Sequence, residues 1–225
     1  IEWGSQCLQK LDGSFAFAVI DPRSDSLFIA RDRLGVKPLY YYQDDEIFCF
    51  ASSVAALKAI CGKQPVDLAA VSHYFTTCRI TFGEKTLYKN IYTLLPATWK
   101  RFALQSSESE EEKYWRRPAL AEEEKQEFCE EELLHNTRTL VNEAVSKRLM
   151  SDVPLGCFLS GGLDSAVVVD IAQNSSSQRL PLYCAGTPVE KYNEFRYAAE
   201  VAQRLNSTVN EVTISADTFM SDWRK

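Results

Sequence analysis

The chain has 225 residues, 45% hydrophobic and 25% charged, with a formal net charge of −6. That length holds one large core or two modest ones, and no apolar run approaches the ~20 residues that span a bilayer, so membrane insertion is set aside. The acidic balance also disfavours a sequence-independent grip on phosphate backbones, which needs clustered Lys and Arg, so no nucleic acid and no membrane is expected as a partner.

The chain opens on Ile1-Glu2-Trp3 and closes on "TFMSDWRK" just as a helical pattern begins, which reads as a fragment cut at both ends. From residue 15 the pattern is strand and turn: "FAFAVID" (15–21), a turn at "PRSDS", "LFIARD" (27–32), "LYYYQ" (39–43), the acidic tip "DDE" (44–46) and "IFCFASS" (47–53). Four β-rich runs joined by short turns predict antiparallel hairpins. A short helix is expected from Val54 to Cys61, stopped by Gly62, and another after Asp67, a good N-cap. "KTLYKNIYTLLPATWKRF" (85–102) reads as a further strand pair containing Pro96. Residues 105–132 are polar, strongly acidic and interrupted by Pro118, which predicts a solvated linker running into an acidic first helical turn.

Beyond it, Leu133, Leu140, Val141, Ala144, Val145 and Leu149 recur at helical spacing, with Pro154 closing the helix. Strands at 155–159, 181–185 and 209–214 then alternate with helices at 164–173 and 194–205, the signature of a parallel sheet with crossover helices. In such sheets ligands bind beyond the carboxyl ends of the strands.

At one such end stands Ser160-Gly161-Gly162-Leu163-Asp164-Ser165, within "VPLGCFLSGGLDSAVVVDIAQ" (153–173). A glycine loop feeding a helix offers a phosphate several backbone N–H donors with no Cβ in the way, and the helix start adds partial positive charge. Ser160 and Ser165 can add hydroxyls, while Asp164, which a phosphate would repel, is best explained as a Mg²⁺ ligand. A plain turn with a capping residue is the bland alternative. The strand-loop-helix setting argues against it, as does a chance occurrence of Ser-Gly-Gly-x-Asp-Ser on the order of 10⁻⁴ from average residue usage. No Lys-Ser/Thr follows the glycines, so this is not a Walker loop.

The other chemistry-bearing residues offer less. Seven cysteines are scattered with no Cys-x-x-Cys pair, as in a reduced, cytosolic protein, and His73 and His135 have no partner at ligand spacing.

The loop, preceded by "MSDVPLGCFL", closely resembles the pyrophosphate loop of the ATP pyrophosphatase superfamily in the form seen in glutamine-hydrolysing asparagine synthetases. "LDGSFAFAVIDPRSDSLFIARDRLGVKPLYYY" (11–42) independently resembles the second half of a class II glutamine amidotransferase domain. The resemblance implies an α/β chain overall. A partial antiparallel β-rich amidotransferase domain of the Ntn-type α+β fold (1–105) would lead through an acidic linker (106–126) into a partial parallel-sheet, Rossmann-like ATP pyrophosphatase domain (127–225). It implies a ligase that adenylates the side chain of aspartate with ATP and Mg²⁺ and displaces AMP with ammonia from glutamine. A cytoplasmic enzyme is implied, and a homodimer is among the assemblies the resemblance allows. Phe158, Ala185 and Gly186 match the family's adenine-side positions.

Departures keep rival readings open. The class II nucleophile is an N-terminal cysteine, which the resemblance places upstream of Ile1; Cys7 is read as structural, so no catalytic residue is expected within the chain and the fragment alone is expected to be inactive. In "FASSVAAL" (50–57), Ser53 stands where the family usually has glutamate, and "NSTVNE" (206–211) replaces a His-rich stretch. A β-lactam synthetase-like ligase without glutaminase activity is the nearest rival, and a non-catalytic homologue the rival of another class. A tRNA sulfur-transfer enzyme would need a basic surface and a catalytic cysteine pair, neither of which is visible.

Overall fold

The computed structural model describes residues 2–44, 47–104, 108–119 and 129–223. The chain divides into two compact units, Ile1–Glu123 and Glu124–Lys225.

In the first unit a short helix α1 (Cys7–Lys10) precedes the hairpin of β1 (Ala16–Asp21) and β2 (Ser26–Arg31). Ala16 pairs with Arg31 and Asp21 with Ser26, and the turn between them tightens through Asp25 at a left-handed φ of 47°. A second hairpin, β3 (Tyr40–Gln43) and β4 (Phe48–Ala51), leads to α2 (Val54–Cys61) and α3 (Leu68–Thr77). Ser53 caps α2 by accepting from the Ala56 N–H, and Asp67 caps α3 by accepting from Ala69 and Ala70. Of the acidic tip at 44–46, residues 45 and 46 lie outside the described residues.

The expected strand pair at 85–102 forms as two strands that do not pair with each other. β5 (Ile91–Thr93) joins β3, and β6 (Thr98–Ala103) joins β2. Pro96, which has no N–H to give a ladder, and Ala97, at a φ of 57°, turn the chain from one sheet to the other. The sheets run β4-β3-β5 and β1-β2-β6-β7. Leu27, Ile29 and Phe102 from the larger sheet pack with Leu39, Tyr41 and Leu94 in one core.

The second correction concerns the acidic stretch. Residues 109–113, expected in a solvated linker, form β7 (Ser109–Lys113), an edge strand antiparallel to β6. The pairing neutralises it: Glu111 lies 2.7 Å from Lys100 Nζ and Glu110 2.9 Å from Arg101. The Lys100 ammonium also meets Glu84 at 3.0 Å and donates to the Tyr41 hydroxyl at 2.8 Å. Exposed carboxylates along an edge also discourage pairing with another chain. Residues 105–107 and 120–128 of the acidic stretch lie outside the described residues.

In the second unit, α4 (Glu130–Ser146) ends before Leu149, the last residue of its apolar pattern. A three-stranded parallel sheet follows, in the order β10-β9-β8, from β8 (Cys157–Phe158), β9 (Leu182–Gly186) and β10 (Val209–Thr213). Helix α5 (Leu163–Ser175) follows β8, α6 (Phe195–Arg204) follows β9, and α7 (Ala216–Trp223) follows β10. The expected strand at 155–159 is short as a strand, but the ladder reaches Leu159, whose N–H donates to the Tyr183 carbonyl at 2.8 Å. Leu159, Val169, Leu182, Cys184, Ala198 and Ala202 form the core under the helices. Side chains alternate along a strand, so Phe158, Tyr183 and Ala185 share the opposite, exposed face. Among the described residues no helix is long and apolar enough to cross a membrane.

Candidate functional site

The 160–165 loop sits where β8 ends and α5 begins. Leu159, wholly buried, anchors its base, and the chain then leaves the core into solvent at Ser160. Ser160 and Ser165 hold the loop's shape: their hydroxyls lie 3.0 Å apart, the Ser160 N–H donates to Ser165 Oγ at 3.3 Å, and the Gly162 N–H donates to Ser160 Oγ at 3.3 Å. Ser165 Oγ also donates to the Gly162 carbonyl at 3.0 Å. The two hydroxyls therefore work inside the loop.

The two glycines have different reasons to be glycine. Gly161 has a φ of +78°, and a Cβ there would fall on the Tyr197 side chain and 2.8 Å from the Ala198 nitrogen, so the start of α6 leaves no room. Gly162 is the N-cap of α5 in extended geometry, φ −72° and ψ 157°, and a Cβ there would meet only Ser160 Oγ, at 3.4 Å. Packing explains the first glycine and leaves the second open to whatever approaches the helix start.

What the loop leaves unspent defines its chemistry. The first N–H groups of α5, at Leu163, Asp164 and Ser165, have no intrahelical acceptor, and no side chain caps the helix. Asp164 is exposed, in the first turn, and among the described residues makes no hydrogen bond or ion pair. Convergent N–H donors beside a solvent-facing carboxylate suit a polyanion carrying a hard cation. Mg²⁺ keeps several waters and takes one or two carboxylates plus substrate phosphates. Among the described residues no group of three or more His, Cys, Asp or Glu gathers as a metal cage.

Of the adenine-side candidates, Ala185 and Gly186 are together, lining an open cleft of about 450 Å³ at the ends of β9 and β10. Phe158 is not in it: the side chain is 83% exposed on the same sheet face, one strand away opposite Tyr183. Gly186 is also a packing glycine, since a Cβ would lie 2.6 Å from the Phe195 ring. Beneath it, burial pushes the Cys184 thiol up, as do the carboxylates of Glu194 and Glu211. Thr187, Tyr192, Ile214, Ser215, Ala216 and Phe219 complete the cleft, and the last five were missed from sequence. The aromatic residues just after two strand ends were the available signal.

In the first unit, Cys7 packs half-buried against the cluster of Leu8, Ala30, Trp99 and Tyr114, in keeping with a structural thiol. A cavity of about 780 Å³ lies here against Phe17, Val19, Phe28 and Arg101. Cys7 apart, none of the residues singled out for chemistry lines it.

The family model described as a glutamine amidotransferase domain matches residues 1–115, and that described as asparagine synthase matches residues 136–225. The asparagine synthetase [glutamine-hydrolyzing] 3 of Bacillus subtilis is 34% identical over 88% of this chain and 32% of its own length. A Methanocaldococcus jannaschii relative whose name carries the same activity as a provisional assignment is 34% identical over 86% of this chain and 37% of its own. The chain thus spans about a third of the length of the curated relatives it matches. A solved glutamine phosphoribosylpyrophosphate amidotransferase from B. subtilis covers 92% of this chain and 34% of its own, at 12% identity and a TM-score of 0.34.

Proposed function

The chain belongs to the glutamine-hydrolysing asparagine synthetase family, with an amidotransferase part and a synthase part in one polypeptide, and from that premise we propose that its protein amidates aspartate at the cost of ATP. The division between the parts falls in the acidic stretch, and a cytoplasmic setting suits the unpaired cysteines.

In this reading the aspartate side-chain carboxylate attacks the α-phosphorus of ATP, the bond to the β-phosphate oxygen breaks, and pyrophosphate leaves. Ammonia freed from glutamine then attacks the β-aspartyl adenylate and expels AMP. Residues 160–165 supply electrostatic stabilisation to the leaving pyrophosphate: the N–H groups at the start of α5 face its oxygens, and Gly162 keeps the approach clear. Asp164 would hold Mg²⁺, which when bound neutralises charge developing on the leaving group. Ser160 and Ser165 keep the loop in shape. Ala185 and Gly186 would lie on the adenine side, with Phe158 further out on the same face.

The observation that carries this reading is a carboxylate beside helix-start donors, neither with a partner among the described residues, at the carboxyl end of a parallel strand. In the whole protein, Asp164→Asn should abolish aspartate-dependent pyrophosphate release and leave glutaminase activity largely intact. Equal loss of both would count against the assignment.

A further inference from the structure

Two of the seven cysteines meet in the first unit. Cys49, on β4, stands directly opposite Tyr42 of β3, so their side chains share one face of that sheet. Helix α2 brings Leu57 and Cys61, one turn apart, to the same face. Leu57, Tyr42 and Ile91 make a small buried core there, and both cysteines pack against it, half-buried. Their thiols come within hydrogen-bond reach of each other. Gln64 fixes the end of α2 at this point by donating from Nε2 to the Cys61 carbonyl at 2.8 Å.

We propose that Cys49 and Cys61 are a modification site, a dithiol that low-molecular-weight disulfides oxidise to an intramolecular disulfide. The inference stands apart from the pyrophosphate reading, since it involves the other unit alone. Contact supplies the geometry, because a disulfide needs sulfurs that already meet, and a thiol without a neighbour stops at a mixed disulfide. Half-burial supplies access, which a buried thiol such as Cys184 lacks. Electrostatics sets the order. Burial, the hydrogen bond with Cys49 and the Asp44 carboxylate all push the Cys61 thiol up, so Cys61 keeps its proton and Cys49 reacts first.

The Cys49 thiolate attacks one sulfur of the external disulfide, that S–S bond breaks, and one thiolate leaves. Cys61 then gives up its proton and attacks the Cys49 sulfur of the mixed disulfide, which expels the second thiolate. The protons lost by the two cysteines are carried off on the two released thiols, so the pair is oxidised by two electrons and the external disulfide reduced by two. The product ties β4 to the end of α2 and closes Ser53 and the whole helix into a ring. A reversible bond of this kind is the one a reducing compartment permits.

The test incubates the full chain with oxidised glutathione, blocks the remaining thiols by alkylation and maps the peptides without reduction. Cys49 and Cys61 should be recovered as one cross-linked pair of peptides, separated again by dithiothreitol, while the exposed Cys78 retains glutathione. Cys61→Ser should hold glutathione on Cys49 as a stable mixed disulfide, on the order of tenfold more than the parent does at the same time. Should that variant fail to fold, the map of the parent decides alone. A parent in which Cys78 is modified while Cys49 and Cys61 stay reduced overturns the inference, as does a stable mixed disulfide at Cys49 in the parent.

Discussion

Two loops of this chain carry glycine and aspartate just after a strand, and they use them in opposite ways. In the first unit, Asp32 is 2% exposed and accepts from the N–H groups of Phe15, Leu34, Val36 and Lys37 at 2.9–3.2 Å. Arg31 beside it donates to the carbonyls of Gly35, Lys37 and Leu94 and to the Thr93 hydroxyl. Gly35, at a φ of +67°, is crowded by Pro96 and Arg31. The Asp32 carboxylate and the Arg31 guanidinium there are consumed by the fold. In the second unit, among the described residues, Asp164 has no protein partner and the first N–H groups of α5 have no acceptor, while a Cβ at Gly162 would meet only Ser160 Oγ, at 3.4 Å. A loop that satisfies itself is structural, and one that holds its shape with two serines while leaving a carboxylate and donors outward is built to receive something.

The sharpest contrast to break is therefore between the two aspartates. Asp32→Ala strands four backbone N–H groups in a buried loop and should cost about 3–5 kcal/mol, read from denaturant unfolding of the chain. Asp32 also has a pH signature. Burial would raise its carboxyl, but the N–H bonds from Lys37, Val36, Leu34 and Phe15 outweigh this and hold it below the ordinary carboxylate range. A depressed folded value means that the stabilisation is fully present above the unfolded value, ~3.9, and is lost as pH falls through the folded one. Asp32→Asn should flatten that acid limb, and an unaltered limb would mean that Asp32 is not what holds the loop.

Gly161→Ala comes next. Its new Cβ meets α6, and its φ is unfavourable for any side chain, so about 2–3 kcal/mol should be lost in thermal unfolding. A neutral result would show that α6 does not press on the loop. Smallest is Asp164→Ala, which removes an exposed carboxylate from a helix's first turn and should lower stability by less than about 1 kcal/mol. A large loss there would erase the difference between the loops.

Much of this was legible in the sequence because local patterns set it. The β1–β2 and β3–β4 hairpins follow from alternation and turn residues, and the β8-α5-β9-α6-β10 order follows from helix-strand alternation. What local pattern cannot set is partnership. β5 and β6 read as a pair because they are adjacent, whereas Pro96 and Ala97 send them to different sheets. The 109–113 run reads as solvated because its glutamates are charged, and only Lys100 and Arg101 opposite make it a strand. At the site, the serines, the glycines and Asp164 were visible as a ligand-type loop, but the packing of α6 against Gly161 and Gly186 was not. Long-range approach of a helix leaves no local trace in a loop's own residues.

If the start of α5 is kept clear for pyrophosphate, Gly162→Ala is the variant that isolates the effect, because the added methyl meets nothing of the protein closer than Ser160 Oγ. Titration of inorganic pyrophosphate with Mg²⁺ into the parent and the variant, at matched thermal midpoints, is the direct measurement. Binding to the parent that weakens at least tenfold in Gly162→Ala is the result expected; equal binding by the two would contradict the claim.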